Sequence, residues 1–151
     1  MRNIFVVNLR FCYHCCLIKS HMNKKNELLQ LIPRQGILPL FFHKDSDVSL
    51  QVLKALYDAG IRAVEYTNRG EAALANFKLM KQHCESEMKD LYLGIGTIKN
   101  AEMAKTFIDA GADYIICPGW VPEVAKVADQ HDMLWVPGCM TPSEIIAAEN
   151  Q

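Results

Sequence analysis

Asp58-Ala59-Gly60-Ile61-Arg62-Ala63-Val64-Glu65-Tyr66-Thr67-Asn68-Arg69-Gly70 is the stretch that decides the fold. A helical pattern ends at a glycine, the residue that accepts the left-handed conformation of a helix C-terminal cap. An apolar run follows at once, short and bounded by turn residues, as a buried strand requires. The phrase returns at Asp109-Ala110-Gly111, again just ahead of an apolar run, Tyr114 to Cys117. A helix-glycine-strand step that recurs marks consecutive β/α units.

Working outward, strands are predicted at Ile37 to Phe42, Arg62 to Thr67, Leu91 to Ile95, Tyr114 to Cys117 and Met133 to Val136. Between them lie amphipathic patterns. Asp47 to Ala59 places Val48, Val52, Leu53, Leu56 and Tyr57 on one stripe, and a helix near Glu71 to His83 turns Ala73, Leu74, Phe77 and Met80 inward. Asn100 is placed to cap a third helix that buries Met103, Ala104, Phe107 and Ile108 and ends at Gly111. Pro122 suits the first turn of a fourth, and Thr141-Pro142-Ser143-Glu144 spells a capping box with proline at the first helical position. Right-handed crossovers make the strands parallel. Two architectures use such a series, an open doubly wound sheet and an eight-unit barrel. The first strand-to-helix turn, Phe42-His43-Lys44-Asp45, lacks the glycines of a dinucleotide fingerprint, which favours the barrel.

Composition excludes several classes of function. With 16 Lys plus Arg against 17 Asp plus Glu, the net charge is −1, so no basic surplus exists to hold a nucleic-acid backbone. No apolar run approaches the roughly 18 residues that span a bilayer. Half of the 151 residues are hydrophobic and 22% are charged, the balance of a soluble globular domain, expected to be cytoplasmic. Of six cysteines, Cys84, Cys117 and Cys139 are scattered and read as small buried hydrophobes in a reducing compartment. Cys12, His14 and Cys15 look like half a zinc site without a second half, so no metal is expected. Residues 1–21 read as a poorly ordered, non-native extension, and 22–151 as the domain, with a helix starting after Met22.

Parallel α/β folds gather reactive groups at the carboxyl ends of their strands. Strand alternation puts Ala63, Glu65 and Thr67 on one face, so the Glu65 carboxylate points into the barrel. There its pKa should rise, as a proton-transfer group requires. Arg69 is a two-pronged donor for a carboxylate or phosphate, although spacing alone favours a plain Glu65–Arg69 ion pair. Gly94-Ile95-Gly96-Thr97 would bring backbone close to a ligand beside a hydroxyl, or form a tight turn. Pro118-Gly119-Trp120 and Pro137-Gly138-Cys139 repeat a Pro-Gly turn at successive strand ends.

Gly36-Ile37-Leu38-Pro39-Leu40, Val64 to Arg69, Gly94 to Thr97, Ile116-Cys117-Pro118-Gly119, Val136-Pro137-Gly138 and Thr141 to Glu144 stand in a fixed order and spacing. Over about residues 24–151 the chain thereby resembles the 2-keto-3-deoxy-6-phosphogluconate aldolases, also called 4-hydroxy-2-oxoglutarate aldolases. The resemblance implies a class I aldolase on a (β/α)8 TIM barrel, usually a homotrimer, that cleaves a 2-keto acid to pyruvate and an aldehyde. Its electron sink is a lysine Schiff base, so no cofactor and no metal is implied. Carried over by motif, Glu65 would shuttle protons, Arg69 and Thr97 would hold the keto-acid carboxylate, and Pro118 would shape the wall. The family's Schiff-base lysine lies on the sixth strand, in a Lys-x-Phe-Pro type motif, whereas this sequence shows five strands and ends at Gln151. The chain is therefore expected to lack that lysine, to be the N-terminal portion of such an enzyme, and to be inactive alone. Lys44 and Lys99 read as solvated loop lysines and not as substitutes. Two other readings are a different phosphate-handling barrel enzyme that shares the half-barrel, and a non-catalytic assembly module using the bare edges of strands one and five.

Overall fold

The computed structural model describes residues 23–150. The extension at 1–21, and with it Cys12, His14 and Cys15, lies outside them. A first helix, α1 (Lys24–Gln35), precedes five β/α units: β1 (Leu40–Phe41), α2 (Ser46–Asp58), β2 (Ala63–Thr67), α3 (Ala73–Glu87), β3 (Tyr92–Gly96), α4 (Ala101–Asp109), β4 (Tyr114–Ile116), α5 (Pro122–Gln130), β5 (Leu134–Val136) and α6 (Pro142–Glu149).

The five strands form one sheet in the order β1-β2-β3-β4-β5, every neighbouring pair parallel. A doubly wound sheet reverses its strand order part-way along. Strictly sequential order is that of a barrel wall, and it settles the choice the sequence left between the two. The recurring Asp-Ala-Gly phrase has its structural counterpart: Gly60 has φ 92° and Gly111 φ 89°, each just after a helix and ahead of a strand. Asn100 accepts from the Met103 amide at 2.8 Å, and the Thr141–Glu144 capping box is complete.

Both faces of the sheet are covered. On the outer face Val64, Tyr66, Leu93, Ile95 and Ile115 pack against Leu53, Phe77, Met80, Phe107 and Val124 of the surrounding helices. On the inner face Tyr114 and Leu134 pack against Leu28, with Ile32, Leu38, Tyr92, Ile116 and Val136 around them. Leu28 and Ile32 belong to α1, which closes the end of the sheet where the strands begin. Its polar residues reach those strand starts in turn. Gln35 accepts from the amides of Arg62 (2.7 Å) and Ala63 (3.0 Å). The Tyr92 hydroxyl donates to Glu27, Lys24 pairs with Asp113 at 2.9 Å, and Asn23 donates to Asp132. Asp113, almost fully buried, also takes Lys81 at 2.7 Å and the Leu93 amide at 2.8 Å.

Two expectations need correction. The first strand pairs only at Leu40 and Phe41, shorter than the predicted 37–42, because Pro39 has no amide to donate and Ile37 is largely exposed. In α2 the apolar stripe is rotated: Val48 is exposed and Ser49 is buried. Burial of Ser49 is tolerated because its hydroxyl donates to the carbonyls of His43 (3.2 Å) and Asp45 (2.8 Å). No helix among the described residues is long and apolar enough to cross a membrane.

Candidate active site

Glu65 sits in the middle of β2, and its cross-strand neighbours are Leu40 on one side and Gly94 on the other. Its side chain enters the barrel interior, as alternation predicts, and is 7% exposed. Burial raises its pKa, and the Arg69 charge only partly offsets that. No Glu65–Arg69 ion pair within 4.0 Å occurs among the described salt bridges, contrary to the expectation from spacing. Arg69 lies two residues past the end of β2, exposed, with its amide donating back to Thr67 at 2.9 Å. That places the guanidinium beyond the carboxyl end of the strand.

The two glycines of β3 lie within the strand and so form no tight turn. They make room for side chains of the flanking strands. A Cβ on Gly96 would overlap the Glu65 carboxylate, and a Cβ on Gly94 would overlap the Tyr114 ring. The next residue, Thr97, has φ 63°. For a β-branched residue the left-handed region is an outlier that costs on the order of 1–3 kcal/mol, and such strain gathers at functional positions. Half-buried Thr97 thus follows β3 in a conformation that its own chemistry disfavours, one residue after the Gly96 that abuts the Glu65 carboxylate.

At the next strand ends the repeated Pro-Gly turns touch. A Cβ on Gly138 would lie 2.5 Å from the Pro118 carbonyl oxygen, so the β5 turn packs on the β4 turn only as glycine. Pro118 is left exposed at that rim. Trp120 stacks obliquely on Trp135 at 5.4 Å, and the Trp135 indole donates to the Cys117 sulfur at 3.1 Å. Cys84 and Cys117 are buried free thiols and Cys139 is half-buried; burial pushes Cys84 to about 11. Lys44 and Lys99 are both exposed, as loop lysines.

The structure therefore gathers Glu65, Gly96 and Thr97 closely, and sets Arg69 and Pro118 at the rim of the same sheet end. Sequence reasoning missed Tyr114, which is fully buried on the inner face with a hydroxyl that has no hydrogen-bond partner among the described residues. Its only signal was a polar ring opening an otherwise apolar strand.

Parallel strands in sequential order, with a buried carboxylate raised in proton affinity beside strained backbone where the strands end, define a β/α-barrel fold of the kind that enzymes use. The chain belongs to the KDPG and KHG aldolase family, whose model matches residues 29–150. It is 28% identical over 124 residues to the 2-dehydro-3-deoxy-phosphogluconate aldolase of Dickeya dadantii (strain 3937), covering 82% of this chain and 56% of that protein. The KHG/KDPG aldolase of Escherichia coli (strain K12) is 26% identical over 124 residues, with the same coverage of 82% and 56%. Among solved structures, the 4-hydroxy-2-oxoglutarate aldolase/2-deydro-3-deoxyphosphogluconate aldolase from TTHB1 superposes with a TM-score of 0.71 at 29% identity, over 81% of this chain and 58% of that one. The chain thus spans a little over half the length of these relatives.

Proposed function

We propose that these residues form the proton-handling and keto-acid-binding side of a class I aldolase site that releases pyruvate from a 2-keto acid such as 2-keto-3-deoxy-6-phosphogluconate or 4-hydroxy-2-oxoglutarate. The observation that carries the reading is Glu65: a carboxylate turned into the barrel interior, its proton affinity raised by burial, against the Gly96 that precedes the strained Thr97. Aldol cleavage through an iminium needs a group that takes the proton of the hydroxyl whose carbon leaves as aldehyde. The same group returns protons as the carbinolamine loses water and the enamine is quenched. A carboxylate with raised pKa serves both directions near neutral pH. Arg69 and the Thr97 hydroxyl hold the substrate carboxylate, and Pro118 shapes the wall. The amine comes from a sixth-strand lysine, so the 151-residue chain by itself forms no iminium. The working assembly in this reading is a trimer.

Reductive trapping tests this. With pyruvate and borohydride, the 151-residue chain should show no added mass. A chain carrying a grafted sixth strand from the Dickeya relative should gain one pyruvate-derived mass on the grafted lysine. In that chain Glu65→Gln should slow exchange of the pyruvate methyl protons by about 10²- to 10⁴-fold. An adduct on Lys44 or Lys99, or exchange that ignores Glu65→Gln, would overturn the assignment.

A further inference from the structure

Tyr114 is out of keeping with its surroundings. It lies among Leu28, Leu134, Ile32, Leu38 and Ile116, fully buried, yet its hydroxyl makes no well-formed hydrogen bond among the described residues, with only the Gly94 amide near it. An unmet buried hydroxyl is destabilising relative to phenylalanine, which would fill the same space.

The sheet register shows what lies opposite. Glu65 pairs with Gly94, and one step back from the Ile95–Ile115 pair Gly94 faces Tyr114, which pairs with Leu134. Leu40, Glu65, Gly94, Tyr114 and Leu134 thus form one row across the inner face. Glu65 and Tyr114 are two strands apart, about 10 Å between backbones, and the position between them is bare. The Tyr114 ring fills that gap: the three atoms nearest a Cβ on Gly94 are its Cε2, Cζ and Cδ2. The hydroxyl, borne on Cζ, is carried across β3 toward β2. From the other side the Glu65 carboxylate leans over Gly96 on the same strand. Both polar ends thus lie over the stretch of β3 from Gly94 to Gly96, which has no side chain on this face.

We propose that the Tyr114 hydroxyl is the donor that holds the Glu65 carboxylate in place, through a single buried water over the Gly94–Gly96 face, making Tyr114 a positioning residue for the proton-transfer group. As a role in proton transfer this rests on the reading of Glu65 above; the contact itself does not. Burial above all, with the charges of Glu65 and Asp113, keeps the phenol well above its ordinary pKa, so it remains a donor throughout the pH range in which Glu65 titrates. The charged groups around the pair are Arg69 beyond β2, Asp113 next to Tyr114, and the Lys24 and Lys81 that pair with Asp113.

The test is a side-chain carbon-13 titration of the 151-residue chain, labelled at glutamate Cδ and tyrosine Cζ, with Glu65→Gln and Tyr114→Phe supplying assignments. The Tyr114 Cζ signal should move with the same midpoint as Glu65 Cδ. In Tyr114→Phe the Glu65 midpoint should rise by about one pH unit, since a donor to the charged form is gone. A purely space-filling tyrosine would leave that midpoint unmoved, and an unmoved midpoint overturns the proposal. Should the Phe variant fail to fold, the unsubstituted chain decides: a Tyr114 Cζ signal flat through the Glu65 titration sinks it. Neither nucleus needs turnover. Coupled titration with exchange indifferent to Glu65→Gln would defeat the aldolase reading and leave the contact standing; the converse would defeat the contact alone.

Discussion

The two ends of the sheet are built on opposite plans. Where the strands begin, buried polar groups are met: Asp113 takes two lysines and an amide, Gln35 takes the amides that open β2, and Tyr92 finds Glu27. Toward their ends, Glu65 is buried with no ion-pair partner within 4.0 Å among the described residues, and Thr97 holds a left-handed backbone. In the same row as Glu65, the Tyr114 hydroxyl has no hydrogen-bond partner among the described residues. The contrast teaches that paired polar groups tie the strand starts together, while the inner face toward the strand ends holds a carboxylate buried without an ion pair and a strained backbone.

The comparison breaks hardest at Asp113. Asp113→Ala strands Lys81, itself largely buried, and leaves the Leu93 amide unmet, so a loss of about 3 kcal/mol is expected in urea unfolding. A loss below 1 kcal/mol would mean that the strand starts do not carry the stability assigned to them. Next comes Gly96→Ala, whose new methyl group must displace the Glu65 carboxylate; overpacking of this kind costs about 1–3 kcal/mol and should shift the Glu65 titration as well. Thr97→Gly should run the other way. Relief of the left-handed strain is expected to stabilise the chain by about 1 kcal/mol while weakening pyruvate binding, read by calorimetric melting and ligand-observed NMR. A destabilised glycine variant would show that Thr97 belongs to the structural plan.

The last effect is a slope with pH. Glu65 has a raised pKa in the folded chain, so the folded state holds its proton more tightly than the unfolded state. Its contribution to stability is therefore full below the ordinary glutamate pKa and is lost as pH rises through the folded value. Subtracting the stability curve of Glu65→Gln from that of the unsubstituted chain should give a difference that falls across this window. A flat difference would place Glu65 in solvent.

Most of the wall was legible in the sequence, because each unit announces itself locally. Gly60, Gly111, Asn100 and the Thr141–Glu144 box act within one helix turn, and period-2 alternation sends Glu65 inward whatever lies beside it. What could not be read depends on which strands become neighbours. Gly94 and Gly96 look like turn residues until β2 and β4 flank them and their side chains need the space. Asp113 looks like loop polarity until α1 and α3 bring a lysine each. The Glu65–Arg69 pair failed for a local reason: Arg69 lies past the strand end, off the alternating face. Ser49 displaced Val48 from the buried stripe because the turn after β1 offered it two carbonyls.

The helix that closes the strand starts also sets a timetable. Its contacts reach ever later along the chain: 28 residues from Gln35 to Ala63, 89 from Lys24 to Asp113, and 109 from Asn23 to Asp132. During synthesis at about 5–20 residues per second, α1 would wait roughly 5–20 s for its final partner. Through that interval Leu28 and Ile32 have no finished surface to cover. A helix made early is fastened late, and the emerging chain is most open to wrong partners just before β5 arrives.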